Sequence, residues 1–269
     1  MRTSIRYGRT ANTRVDSRYA RLALISSPRS GNTWLRRMLV PLFGLEEQAV
    51  HVPGELDWHR LPTHSVIQLH WPASPSFIAQ LESHGYHVVV LVRHPLDILI
   101  SIPHFAKHEP QTARWLDGAH GDERSILDAE PCSEQFIDYA LTPRARALID
   151  VSSEWSDRPG IIPVRYENLV KHPSHELRRI VEWSGMQPIA SVDEAIEAMS
   201  FARLQSEANN QHIWQGRPGL WRKLLTPNYA RAVSEPYHRH AARHGYNLTP
   251  NPTLTLECAR REWAAIAKL

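Results

Sequence analysis

Three sets of residues in this chain of 269 could do chemistry together: an arginine inside a short polar loop, a second arginine followed by a serine, and a histidine closing an apolar run. The loop is Ser26-Ser27-Pro28-Arg29-Ser30-Gly31-Asn32-Thr33-Trp34, and Arg29 gives it a full positive charge. A loop between a strand and a helix aims free backbone N–H groups and the positive end of a helix dipole at one point, where a phosphate or sulfate can sit. It is not the triphosphate loop GxxxxGK[ST], because Gly31 is its sole glycine and no Lys-Ser/Thr pair follows to reach terminal phosphates and magnesium. Arg93 closes the run Val88–Val92, and Ser101 falls about two helical turns later, so its hydroxyl and the guanidinium can share an anion. His70 closes Ser65-Val66-Ile67-Gln68-Leu69. An imidazole with an ordinary pKa of about 6.5 is neutral near physiological pH and can take a proton from a hydroxyl.

The elements that must position these groups alternate along the chain. Apolar runs and helical spacings predict strands at 22–26, 66–70, 87–92 and 161–165, and helices at 33–42, 75–83, 95–106 and 173–184. That alternation specifies a single α/β domain with a central parallel sheet and helices on both faces. Loop, His70 and Arg93 then all lie at the carboxyl ends of strands, where open parallel sheets bind ligands. Residues 107–160 do not fit a simple crossover and are expected to cover the active site and shape an acceptor pocket. His104, Lys107, His108, Arg114 and Trp115 stand at its entry, and Asp117–Asp122 reads as a mobile loop.

The loop resembles the 5′-phosphosulfate loop PKSGTTW of the cytosolic-type sulfotransferases, with Arg29 for the lysine and Asn32 for the first threonine. Further segments of that family recur in order. Arg93-His94-Pro95-Leu96-Asp97-Ile98-Leu99-Ile100-Ser101 is similar to RxPxDxxxS, Tyr166-Glu167-Asn168-Leu169 to the end of FYEDL, Met199-Ser200-Phe201 to TSF, and Gly216-Arg217-Pro218-Gly219-Leu220-Trp221 to RKGxxGxW. Gln68-Leu69-His70 stands where the family carries KTH. The resemblance covers roughly residues 20–245 and implies the sulfotransferase version of the nucleoside-triphosphate-hydrolase fold, with 3′-phosphoadenosine 5′-phosphosulfate (PAPS) as donor. It implies that Arg29, Ser30, Gly31, Asn32, Thr33 and Trp34 hold the 5′-phosphosulfate end. Arg93 and Ser101 would hold the 3′-phosphate, Trp34, Tyr166 and Phe201 would flank the adenine, and Gly216 and Arg217 would close on the nucleotide. His70 would be the general base, and Arg29 the cation that steadies charge on the leaving phosphate.

Two departures from the family matter. The Arg-Lys pair of RKGxxGxW falls on Trp214 and Gln215, which leaves Arg217 to supply the cation by a shifted loop. Gln68 replaces the lysine of KTH, so Arg29 alone, His64 or Lys107 must carry that charge.

A net charge of +3 suits an anionic donor and argues for no nucleic-acid partner. Residues 1–20 read as a flexible basic arm, 21–248 as the sulfotransferase domain, and 249–269 as a C-terminal extension with a short helix. No apolar run approaches the roughly 18 residues of a membrane helix. Cys132 and Cys258 belong to no metal or redox spacing, which fits reduced thiols, a cytoplasmic setting and no metal cofactor. The expected acceptor is a small molecule or glycan, and the oligomeric state is left open. Two rival classes share parts of these features: a P-loop small-molecule kinase, and a non-catalytic nucleotide- or polyanion-binding protein. The kinase would need the missing Lys-Ser/Thr pair.

Overall fold

In a computed structural model of the chain, residues 20–199 and 215–267 are described. The basic arm before residue 20, together with Phe201 and Trp214, therefore lies outside the described residues. Five strands form one sheet in the order β2-β3-β1-β4-β5: β1 (Ala20–Ile25), β2 (Glu46–Ala49), β3 (His64–Leu69), β4 (His87–Val92) and β5 (Ile162–Arg165). Every pairing is parallel, with β1 matched to β3 from Ala20↔His64 to Ile25↔Leu69 and to β4 from Leu22↔His87 to Leu24↔Val89. Alternate residues of the buried strands feed two apolar clusters. One joins Ala23, Ile25, Ile67, Leu69, Val88, Val90 and Val92 to α2 (Pro75–Ser83), α3 (Pro95–His108), α4 (Glu134–Ala140) and α5 (Pro143–Ser156). The other joins Leu22, Leu24, Val66, Val89, Leu91 and Val164 to α1 (Asn32–Phe43), α6 (Tyr166–Lys171), α7 (Pro173–Ser184) and α8 (Val192–Ala198). The sheet thus has helices on both faces, as its near-continuous Val/Ile/Leu strands require.

The strand order fixes where the site lies. From β1 the chain runs out to β2 and returns through β3, whereas from β3 it crosses β1 to reach β4. Connections leaving neighbouring strands in opposite directions open a crevice at their carboxyl ends. Leu69 closes β3 beside Ile25, so His70 and the loop after β1 face each other across that crevice.

Two elements depart from the sequence expectation. The edge strand β2 is built from Glu46-Glu47-Gln48-Ala49, residues without strand propensity, and is held by its pairing with β3. Residues 143–156, expected within the pocket-covering insertion, form α5, which buries Ala145, Leu148, Ile149, Ser152 and Trp155 against the sheet. Serines and Arg144 on that buried stripe disguised its helical period. The Asp117–Asp122 stretch, expected to be mobile, is exposed from 117 to 121 and is held at Ala119. Arg144, buried and paired with Glu123 at 2.9 Å, donates to the carbonyls of Thr112, Trp115 and Ala119.

Candidate active site

The loop after β1 is held by serines. Beyond Val89 the ladder between β1 and β4 ends, and Leu91 would be left with unsatisfied backbone groups. Instead Ser26 Oγ accepts from Leu91 N at 2.7 Å, and Ser152 Oγ on α5 donates to Leu91 O at 2.7 Å. Ser152 Oγ also accepts from Ser27 N, while Ser27 Oγ donates to Ile149 O at 2.7 Å and accepts from Ser152 N. The chain thereby leaves the sheet on a fixed course. Gly31, at φ 96°, then starts α1 without a side-chain cap. A Cβ at that position would lie 2.6 Å from Tyr166 Cδ2, so only glycine fits both the left-handed backbone and the tyrosine. Sequence reasoning took Gly31 as a phosphate residue and did not see that Tyr166 presses on it.

Arg29 also has a left-handed backbone, φ 60°. Its guanidinium lies 4.2 Å over the ring of Phe105, Nε donates to Ser101 Oγ at 3.0 Å, and its carbonyl accepts from Arg93 Nη1 at 2.6 Å. Burial, with Arg93 nearby, lowers its pKa to about 9, which leaves it charged at neutral pH. Arg93, itself buried, lies 4.5 Å over Tyr166. Arg29, Gly31, Arg93, Ser101 and Tyr166 are therefore one contact set.

Two buried donors in and beside this set have no partner. Arg93 Nε and Ser30 Oγ are buried and make no hydrogen bond. Buried donors without partners are rare and costly, and an anion would satisfy both. Asn32 behaves differently from the expectation. Its Nδ2 donates to Ser27 O at 3.1 Å, so the side chain braces the loop from within. Thr33, half-exposed, is the second residue of α1. Trp34 donates from Nε1 to Met199 O at 3.2 Å, which brings the start of the 199–201 segment beside the loop.

His70 stands on the other side of the crevice. Its Nδ1–H donates to the Ser26 carbonyl at 2.8 Å, which leaves Nε2 as an unprotonated acceptor in the neutral ring. Trp115 meets the ring edge-on at 5.8 Å. Burial lowers the pKa of His70 to about 4, opposed by the Ser26 carbonyl and reinforced by the fields of His51, Arg29 and Arg36. The ring is thus neutral well below the ordinary histidine range. Gln68 is also occupied: Arg36 Nη1 donates to its Oε1 at 3.0 Å, while Arg36 Nε pairs with Glu47 at 3.0 Å. Neither expected substitute for the family's lysine is suited to the role. His64 opens β3 at the opposite end from His70, and Lys107 is exposed and paired with Asp128 at 3.1 Å. Arg36, a residue without a motif in the sequence, adds to the positive field at His70 while paired with Glu47.

The 216–221 segment is brought to the same place by Asp97, another residue the sequence reading left without a role. Asp97, fully buried in the first turn of α3, accepts from Gly219 N at 2.6 Å and Trp221 N at 3.0 Å. Burial pushes its carboxyl pKa up, against the pull of Arg93 and the N–H groups. His94 stacks on Trp221 at 4.8 Å and donates from Nε2 to Asn247 O at 3.2 Å. Gly216 is half-buried and Arg217 exposed. Among the described residues, no three His, Cys, Asp or Glu side chains are grouped as metal ligands.

Comparison with known proteins gives the family and the fold. Residues 20–245 match the sulfotransferase domain family. No curated protein sequence matches. Among solved structures, a mouse sulfotransferase, SULT7A1, complexed with PAP is similar at a TM-score of 0.62 and 16% identity, over 91% of this chain and 89% of that one. Retinol dehydratase is similar in two complexes that also contain PAP, each at 14% identity over 82% of this chain and 80% of the other. The complex with retinol has a TM-score of 0.53, and that with androsterone 0.51.

Proposed function

Because this chain belongs to the sulfotransferase domain family, we propose that it moves a sulfuryl group from PAPS to an acceptor hydroxyl, with His70 as base and Arg29 as the principal cation. The observation that carries this reading is the tautomer of His70, whose Nδ1–H is donated to the backbone of the very loop that holds Arg29. PAPS supplies an electron-poor sulfur joined through oxygen to its 5′-phosphate. His70 Nε2 takes the acceptor's proton as the acceptor oxygen bonds to sulfur, and the bond from sulfur to the phosphate oxygen breaks. Arg29, Ser30 and the backbone N–H groups at the start of α1 stabilise the charge that collects on that oxygen. Arg29 is a clamp here and not an acid, since a guanidinium with a pKa of about 9 keeps its proton at neutral pH.

Arg93, with its unpartnered Nε, and Ser101 suit the 3′-phosphate. Tyr166, Trp34 and Phe201 are assigned to the adenine side, and Gly216 and Arg217 to the lid over it. For the acceptor, a small alcohol is favoured over a glycan. Trp115 is buried in a stack on Phe105 at 5.7 Å and offers no open face to a sugar ring, and Arg114 is paired with Glu55. Retinol dehydratase, crystallised with retinol and with androsterone, is consistent with an acceptor of that size. No helix among the described residues is long and apolar enough to cross a membrane. Cys132 and Cys258 are free thiols, which supports a cytoplasm-like compartment.

The test is calorimetry with 3′-phosphoadenosine 5′-phosphate (PAP), AMP and ATP. PAP should bind most tightly, and Arg93→Ala should weaken it by about 2–4 kcal/mol while leaving AMP nearly unchanged. Equal affinity for PAP and AMP, or magnesium-dependent consumption of ATP, would overturn the reading in favour of a kinase.

A further inference from the structure

The junction between β4 and α3 carries more than Arg93. Within five residues it presents the donor-side guanidinium, the His94 ring beneath Trp221, and the buried Asp97 carboxylate. Asp97 uses its two oxygens on consecutive backbone N–H groups of one segment: Oδ2 takes Gly219 N, Oδ1 takes Trp221 N, and the Leu220 N–H also acts on the carboxylate. Among the described residues no cationic side chain is hydrogen-bonded to this carboxylate, although Arg93 lies close enough for its charge to be felt. A carboxylate with no exposure is retained where its hydrogen bonds hold something in place. Here the thing held is the backbone two to five residues after Gly216 and Arg217, fixed to the same turn of chain that aims Arg93.

We propose that Asp97 is the positioning residue for recognition of the donor's 3′-phosphate, holding the 216–221 segment against Arg93 so that Gly216 and Arg217 complete that subsite. This rests on the transferase reading above. Asparagine is the incisive substitution, because it keeps the shape but turns one acceptor into a donor facing an N–H. One of the two bonds must then break, and the segment loses its fixed distance from Arg93. The carboxylate itself touches no nucleotide.

The experiment is calorimetry of wild type and Asp97→Asn with PAP and with AMP. The variant should lose about ten-fold or more in PAP affinity while AMP affinity changes by less than about three-fold, and Arg217→Ala should cost PAP affinity in the wild type but little more in the Asp97→Asn background. A purely structural role would weaken both nucleotides in parallel, and that result, or undiminished discrimination, overturns the assignment. A wild type that binds PAP and AMP alike fails the transferase reading, and this proposal with it. Discrimination in the wild type that survives intact in the variant fails Asp97 alone. Should Asp97→Asn not fold, hydrogen exchange on the wild type decides: PAP must protect the amides of 216–221 more than AMP does, and equal protection overturns the proposal.

Discussion

The two sides of His70 are built on different principles. On the proposed donor side, Arg29 contacts both Ser101 and Arg93, with Tyr166 packed on Arg93 and Gly31, and the loop beneath them is pinned by Ser26, Ser27 and Ser152 through buried bonds. On the side we propose for the acceptor, His51, Glu55 and Arg114 sit at the surface, and Glu55 joins the two chain segments by accepting from His51 N at 2.8 Å and pairing with Arg114. Fixed dipoles and charges aimed at one point stabilise a transition state without reorganising, which suits the end of the reaction where charge collects. Exposed ion pairs contribute little and can yield to an incoming molecule. On the proposed assignment, the contrast gives rigidity to the common donor and adaptability to the acceptor.

The strongest way to break this contrast is at the residue between the two sides. His70→Ala should lower turnover by about 10²–10⁴-fold, with PAP affinity and melting temperature nearly unchanged. In the wild type, kcat/KM should hold down to about pH 5 and fall only as the ring gains a proton near pH 4, since its folded pKa is about 4. The acid limb should vanish in the variant. Loss of PAP binding together with stability would instead make His70 a structural part of the donor side.

Much of the donor side was legible because its signals are local. A loop between an apolar strand and an amphipathic helix, and an arginine followed by His-Pro, declare themselves in a few adjacent residues. The sheet's parallel character followed from the same alternation, and the expected helix at 75–83 and strand at 87–92 match α2 and β4 residue for residue. What stayed hidden depends on contacts between distant segments. Ser152 is 125 residues from Ser27, and nothing near either one marks them as partners. Asp97 is part of the RxPxDxxxS pattern, but its task shows only when Gly219 and Trp221 arrive at its oxygens. Arg36 on α1 belongs to no motif, yet it reaches Gln68 on β3. Strand EEQA carried no propensity of its own and exists only through β3.

Acid should sharpen the contrast by attacking one side first. Behind Arg93 lie three histidines. His240 donates from Nε2 to Arg93 O at 3.2 Å and accepts at Nδ1 from Ser153, His244 packs on His240 at 4.8 Å, and His94 caps α3. Burial, first among the causes, lowers His94 and His240 to about 4 and His244 to about 3. Arg93, Arg165, Arg222 and Arg243 add to this, and Glu167 is the opposing charge at His94. Because the folded rings are neutral while the unfolded ones protonate near pH 6.5, stability is full above that pH and is lost progressively as pH falls towards 4. His240 alone should account for about 2 kcal/mol at pH 5. Urea titrations at pH 7 and pH 5 should show this loss in the wild type and a smaller one in His240→Gln, whose amide can still donate to Arg93 O. Equal losses in both would absolve the cluster.

The smallest effect is expected at the acceptor side, and its smallness is what makes it informative. Arg114 is half-exposed and its partner Glu55 is held below the usual carboxylate range chiefly by the His51 N–H, with Arg114 contributing less. Arg114→Ala should therefore cost under about 1 kcal/mol of stability and leave PAP affinity untouched. If the 50–56 and 110–118 segments border the acceptor, the same substitution should still change the acceptor's KM by several-fold with kcat preserved, because it loosens where the acceptor sits and not the charges that drive transfer. A matched fall in PAP affinity would show that the two sides are mechanically one, and the division of rigidity between them would have to be abandoned.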